Sequence, residues 1–164
     1  MKKISIKYGL YGAFAGAIGF ALSLFFGRSE ILGYTAIIIA LSFVFFGIKY
    51  FRDTENSGKI SFTKAFALGI LIALFVAFGI AIIDGLYVTV INPDFYHEYG
   101  EALLVSAKEA GNAEAITAAE VQKEKFNSMS LTGLGLFSGG FMFALVSVIG
   151  LIITIISGLI LQKK

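Results

Sequence analysis

The chain has 164 residues, of which 57% are hydrophobic and only 15% charged, and its formal net charge is +2. Its mean hydropathy is +0.86, whereas soluble domains carry about 25% charged residues, so lipid rather than water is the expected solvent. The alternating segments of roughly ten residues that build a transmembrane β-barrel are absent, and with no cysteine there is neither a disulfide framework nor a thiolate metal site.

Charged residues are missing from Tyr8 to Gly27, from Ile31 to Ile48, from Ala65 to Ile83 and from Phe126 to Gln162. Each stretch reaches the roughly 18 residues that mark a bilayer span, because about 20 residues at 1.5 Å rise cross a ~30 Å hydrocarbon core. The expected fold is an all-α membrane protein. It is a four-transmembrane-helix bundle with a small helical extracytoplasmic cap between spans three and four, forming one membrane domain over residues 1–164.

The first span is expected over about 8–26. Met1-Lys2-Lys3 and the small residues at Ala21-Leu22-Ser23 imitate a secretory signal, but the apolar run continues through Leu24, Phe25 and Phe26, which suits an uncleaved span. Gly9, Gly12, Gly16 and Gly19 are spaced three, four and three apart and line one helical face, where another backbone can come close. Gly27-Arg28-Ser29-Glu30 is too short for anything except an antiparallel hairpin. The second span, about 31–50, repeats the small-residue stripe with Gly33, Ala36, Ala40 and Gly47.

The third span, about 65–91, carries Gly69, Ala73, Ala77 and Ala81. Lys59-Ile60-Ser61 before it echoes Lys3-Ile4-Ser5 before the first, a faint sign of two parallel helix-pair repeats. The extracytoplasmic loop, about 92–130, opens with Asn92-Pro93-Asp94. There Phe95, Tyr99, Leu103 and Ala107 recur as an apolar stripe. Gly111-Asn112 ends that helix, and a second polar helix follows from Ala113 to Phe126 with Ile116, Ala119 and Phe126 on one side. The fourth span, about 134–161, offers Gly140, Ala144, Ser147, Gly150, Thr154 and Gly158. Helices in lipid associate by close packing, so these stripes are read as contacts within the bundle, with Gly9, Gly12, Gly16, Gly19, Gly69, Gly150 and Gly158 as the principal packing positions.

Lysine and arginine outside the spans set the orientation. Lys2, Lys3, Lys7, Lys49, Arg52, Lys59, Lys64, Lys163 and Lys164 fall on one side, against Arg28, Lys108, Lys123 and Lys125 on the other. Both termini are therefore expected in the cytoplasm.

Ionisable residues near lipid mark candidate sites. Asp84 stands about 20 residues after Ala65, which places it at the outer interface as an acid that caps the bundle or pairs with Arg28; the functional alternative is a protonatable site. His97 shares a helical face with Asp94, Glu98 and Glu101, but the H-E-x-x-H pattern is missing because position 101 is glutamate. Polar groups within spans are Ser23, Ser42, Ser147 and Thr154. No phosphate-binding loop, dinucleotide fingerprint or nucleophile elbow is present, so no catalytic residue, cofactor or metal is assigned.

Glu30-Ile31-Leu32-Gly33-Tyr34, Phe46-Gly47-Ile48-Lys49-Tyr50-Phe51 followed by Arg52-Asp53, Gly58-Lys59-Ile60-Ser61-Phe62, Lys64-Ala65-Phe66, Pro93-Asp94-Phe95 and the closing Gly150 to Lys164 together resemble the domain-of-unknown-function family 4199. The resemblance covers nearly the whole chain. It implies a small four-helix inner-membrane protein of Bacteroidetes-type bacteria without an assigned activity. One departure is Ile82-Ile83-Asp84-Gly85, where the family tends to be aromatic, often with tryptophan; this points to Asp84 as a feature of this chain.

The expected function is that of a non-enzymatic accessory or interaction protein of the bacterial inner membrane. The alternative is a small transporter or channel component acting as an oligomer. Expected partners are the lipid bilayer and a second copy or another membrane protein, with no nucleic acid.

Overall fold

A computed structural model of the chain describes residues 1–26 and 30–163, with the side chains of Leu24, Phe25 and Glu30 outside that description. Six helices follow one another: α1 (Lys2–Phe25), α2 (Glu30–Tyr50), α3 (Phe62–Leu86), α4 (Phe95–Glu109), α5 (Ala113–Ser128) and α6 (Leu131–Leu161). Single π-helical turns extend α2 over Phe51–Glu55 and α3 over Tyr87–Ile91. Among the described residues, three helical segments are long and apolar enough to cross a membrane, Ile31–Glu55, Phe62–Ile91 and Leu131–Leu161. The chain divides into two compact units, Met1–Ala81 with Phe141–Lys164, and Ile82–Gly140.

In the first unit α3 is central. Ala65, Leu68, Ile72, Ala73, Val76, Ala77 and Ile80 are all fully buried, joined by Ile37, Leu41, Val44 and Ile48 of α2 and Val146 of α6. Glycine sets how close the neighbours come. A Cβ placed on Gly12 would lie 2.7 Å from Ala40 O and 2.6 Å from Val76 Cγ2. One on Gly9 would lie 2.5 Å from Phe75 Cβ, and one on Gly16 2.9 Å from Ile80 Cδ1. On Gly19 it would meet Ala36 Cβ at 2.5 Å. α1 thus runs antiparallel to α2 and parallel to α3. Gly79 serves the same contact from the α3 side, since its Cβ would meet Ala13 Cβ at 2.5 Å.

The α3–α6 contact is antiparallel. Gly69 faces Thr154, Gly150 faces Ala73, and Gly158 faces Phe62. Here the expected stripe on the last helix is corrected: Ala144 is exposed and a Cβ on Gly140 would meet nothing within 4 Å. Small size opens room for a neighbour without supplying one, and within this unit the stripe is used from Ser147, whose hydroxyl is buried, to Gly158.

The end of this unit that holds Met1 is closed by chain segments rather than by helices. Gly58 N–H donates to Arg52 O at 2.8 Å, and Ser57 and Gly58 take positive φ of 54° and 77° to turn the chain; glycine accepts that conformation without cost. Ile60 and Lys163 then exchange both backbone hydrogen bonds at 2.9 Å. Arg52 donates from Nη1 to Leu161 O at 3.4 Å, and its Nε pairs with Asp53 at 2.6 Å. The two isoleucines of the sequence echo, Ile4 and Ile60, are both buried in the same core.

The second unit holds the last turn of α3, the π-helical turn, α4, α5 and the start of α6. Pro93 lacks the N–H needed to continue the helix before it, and α4 starts two residues later. Gly111 takes φ +65° after α4, and the Asn112 side chain accepts from the N–H groups of Glu114 and Ala115 at 3.0 and 3.2 Å, capping α5. The buried face of α4 is wider than the expected stripe: Tyr96 and Gly100 are buried, Phe95, Leu103 and Ala107 are half-buried, and Tyr99 is exposed. The reason is Gly100, whose missing side chain lets the α5 backbone approach. A Cβ there would lie 3.3 Å from Lys123 Cα. A glycine adds nothing to a count of apolar residues, so the spacing does not mark this position.

Candidate functional site

The second unit brings together a carboxylate within an apolar helical segment and a serine hydroxyl from another helix. Asp84, on α3, is 8% exposed, and Ser138, on α6, donates to its Oδ2 at 2.5 Å. The helices can approach this closely because glycines lie beside the pair. A Cβ on Gly85 would meet Gly135 O at 3.1 Å, and one on Gly135 would meet Thr89 Cγ2 at 2.4 Å. Thr89 turns its hydroxyl back onto Gly85 O at 2.8 Å. The polar groups at this crossing are therefore bonded to protein, as burial in a low-dielectric setting requires.

The apolar helical segment starts at Phe62 and continues seven residues past Asp84 to Ile91. Asp84 thus sits about 10 Å inside the segment's end. Its proposed partner Arg28 lies outside the described residues, as does the rest of the turn at 27–29. Ser138 is the partner that the sequence reading missed. It is one small polar residue in a run of glycines, and nothing in the spacing singles it out.

His97 is exposed on α4, and its Nδ1 lies 3.2 Å from Asn127 Oδ1 of α5. Two of its three expected neighbours are engaged elsewhere. Glu101 pairs with Lys123 at 2.6 Å, and Glu98 accepts from Asn92 Nδ2 at 3.4 Å. Among the described residues, no three of His, Asp and Glu converge as metal ligands. The hydrogen bond from Lys123 is the main reason that the Glu101 carboxyl is held below the usual carboxylate range.

Between the hairpin and the helix ends of the same unit lies an aromatic cluster. Tyr96 stacks obliquely on Phe126 with 4.6 Å between centroids and meets Phe137 edge-on at 5.9 Å; Phe95 reaches Tyr87 at 6.1 Å. Offset and edge-to-face rings at such distances attract through their quadrupoles. They tie α4 and α5 to the first turns of α6.

On the outer side of α5, Ala113, Glu114, Thr117, Ala118 and Val121 line a shallow groove of about 600 Å³. Val121 is 61% exposed. Around it Glu114, Glu120 and Glu124 are exposed, with Lys125 one turn from Val121.

Neither the curated proteins nor the solved structures give a match to this chain. A family model described as "Protein of unknown function (DUF4199)" matches residues 7–163, nearly the full length, and the chain belongs to that family.

Proposed function

We propose that the chain is an integral protein of the bacterial inner membrane that crosses the bilayer four times, α1 supplying the fourth span, with both termini cytoplasmic. It acts as a non-catalytic accessory or interaction protein, and the α4–α5 hairpin is its contact surface. The observation that carries this reading is the contrast between the helices. Three segments are apolar enough to span, whereas the hairpin has an acidic exterior and an open apolar groove around Val121. An exposed apolar strip with a polar rim is how transient partner surfaces are built. Affinity purification of the full chain in mild detergent, beside a chain in which residues 95–126 are replaced by a short flexible linker, tests it. A partner that depends on the hairpin is expected; identical partner sets from both chains would refute the reading.

A second reading, a small transporter or channel component acting as an oligomer, is favoured by one contact. A carboxylate held between two apolar helical segments, as Asp84 is by Ser138, is the usual form of an intramembrane proton or cation site. Ion flux in proteoliposomes that Asp84→Asn leaves unchanged would discard it.

A further inference from the structure

One face of α1 joins cations to an apolar groove. At 100° per residue, Lys3, Lys7, Leu10, Tyr11, Phe14 and Ile18 fall on one stripe, and the buried Gly9, Gly12 and Gly16 fall on the opposite side. Leu10, Tyr11, Phe14, Ala15 and Ile18, with Phe43 of α2, line a shallow groove of about 610 Å³. Phe14 is 70% exposed at its centre. At the foot of the groove, Lys7 Nζ lies 5.4 Å from the ring centroid of Tyr50 and 5.9 Å from those of Tyr8 and Tyr11. These are cation–π distances, and they hold the ammonium beside the groove rather than letting it sweep through solvent. A lysine so held keeps its N–H donors.

We propose that this groove and its lysine foot bind an anionic phospholipid, one acyl chain lying along Leu10 to Ile18 and the phosphate resting on Lys3 and Lys7. The inference rests on the bilayer reading above. Leu10 to Ile18 rise about 12 Å, close to the ~15 Å depth of one leaflet's hydrocarbon. Charge selects the occupant. The stripe offers two cations and no carboxylate, which complements a phosphate. A second copy packed on the same face around a two-fold axis would set Lys3 and Lys7 against their own images at one level, and like charges in juxtaposition disfavour that pairing. A zwitterionic headgroup carries a cation of its own into the same place.

The test is native mass spectrometry of the full chain in neutral detergent with an equal mixture of phosphatidylglycerol and phosphatidylcholine of identical acyl chains. Each lysine near an anionic headgroup favours it by about fivefold, so wild type is expected to retain phosphatidylglycerol by a clear excess. Lys3→Gln with Lys7→Gln should bring the two lipids to near parity. Lys59→Gln with Lys64→Gln, which removes the same charge outside the stripe, should preserve the excess. Equal retention by a wild-type chain that needs detergent overturns the lipid site alone, as does an excess that survives the first pair of substitutions, or a homodimer that sheds lipid. Release of the chain from membranes by alkaline carbonate overturns the bilayer reading and the site with it.

Discussion

At single residues, what an added methyl group would strike decides how much a glycine matters. The Cβ of Gly12 would meet a backbone oxygen, Ala40 O, at 2.7 Å, whereas that of Gly16 would first meet the far end of a side chain, Ile80 Cδ1, at 2.9 Å. A side-chain tip can rotate away; a helix backbone has to translate. Gly12→Leu is therefore expected to destabilise the detergent-solubilised fold by more than Gly16→Leu, by about 1–3 kcal/mol or more as is typical of overpacking, read as a lower thermal midpoint. Gly140→Leu, with open space around it, serves as the control and should leave the thermal midpoint nearly unchanged. If Gly12→Leu melts where wild type does, close α1–α2 packing is not a source of stability. The spacing of the α1 glycines was readable in the sequence, but the ranking among them was not. It depends on which atom of a distant helix stands opposite. Asp84 shows the same division: its presence in an apolar run was plain, and its partner Ser138, 54 residues away in sequence, was not.

At the level of elements, the α4–α5 hairpin is held by Tyr96, Gly100, Ala119 and Phe126 inside and by the Glu101–Lys123 pair at its edge. Folding lowers the Glu101 pKa through the Lys123 hydrogen bond, so the pair contributes stability above the carboxyl's unfolded pKa, and that contribution is lost as pH falls through the lowered folded value. The carboxyl is exposed, so the effect is small and screened by salt. The expected outcome is a modest difference in thermal midpoint between wild type and Glu101→Gln near neutral pH. The difference closes in acid and closes again at high ionic strength. A gap that persists in acid would mean that Glu101 acts through packing. The hairpin's ends were legible because Pro93, Gly111 and Asn112 act locally on their own backbone. The place of Gly100 on its buried face was not legible, because a glycine's contribution is made by the helix it admits.

For the whole molecule, the absence of native cysteine makes the proposed topology directly measurable. Single cysteines at Lys59 and Glu109 are expected to be labelled by a membrane-impermeant maleimide from opposite sides of the membrane, and one at Lys2 from the same side as Lys59. Labelling of positions 59 and 109 from one compartment would rule out an odd number of crossings between them. The helical class, three of the four expected apolar segments and the family are legible in the chain alone. These follow from one-dimensional quantities, namely the length of charge-free runs, their hydropathy and local motif order, which act on the backbone wherever the chain goes. It took the folded chain to show that α3 is the central helix of its unit, that Ile60 pairs with Lys163, that Gly140 and Ala144 fall outside the packed part of the α6 stripe, and that Asp84 is held by Ser138. Each of those is a contact between residues far apart in the chain, and composition or periodicity carries no address for a partner.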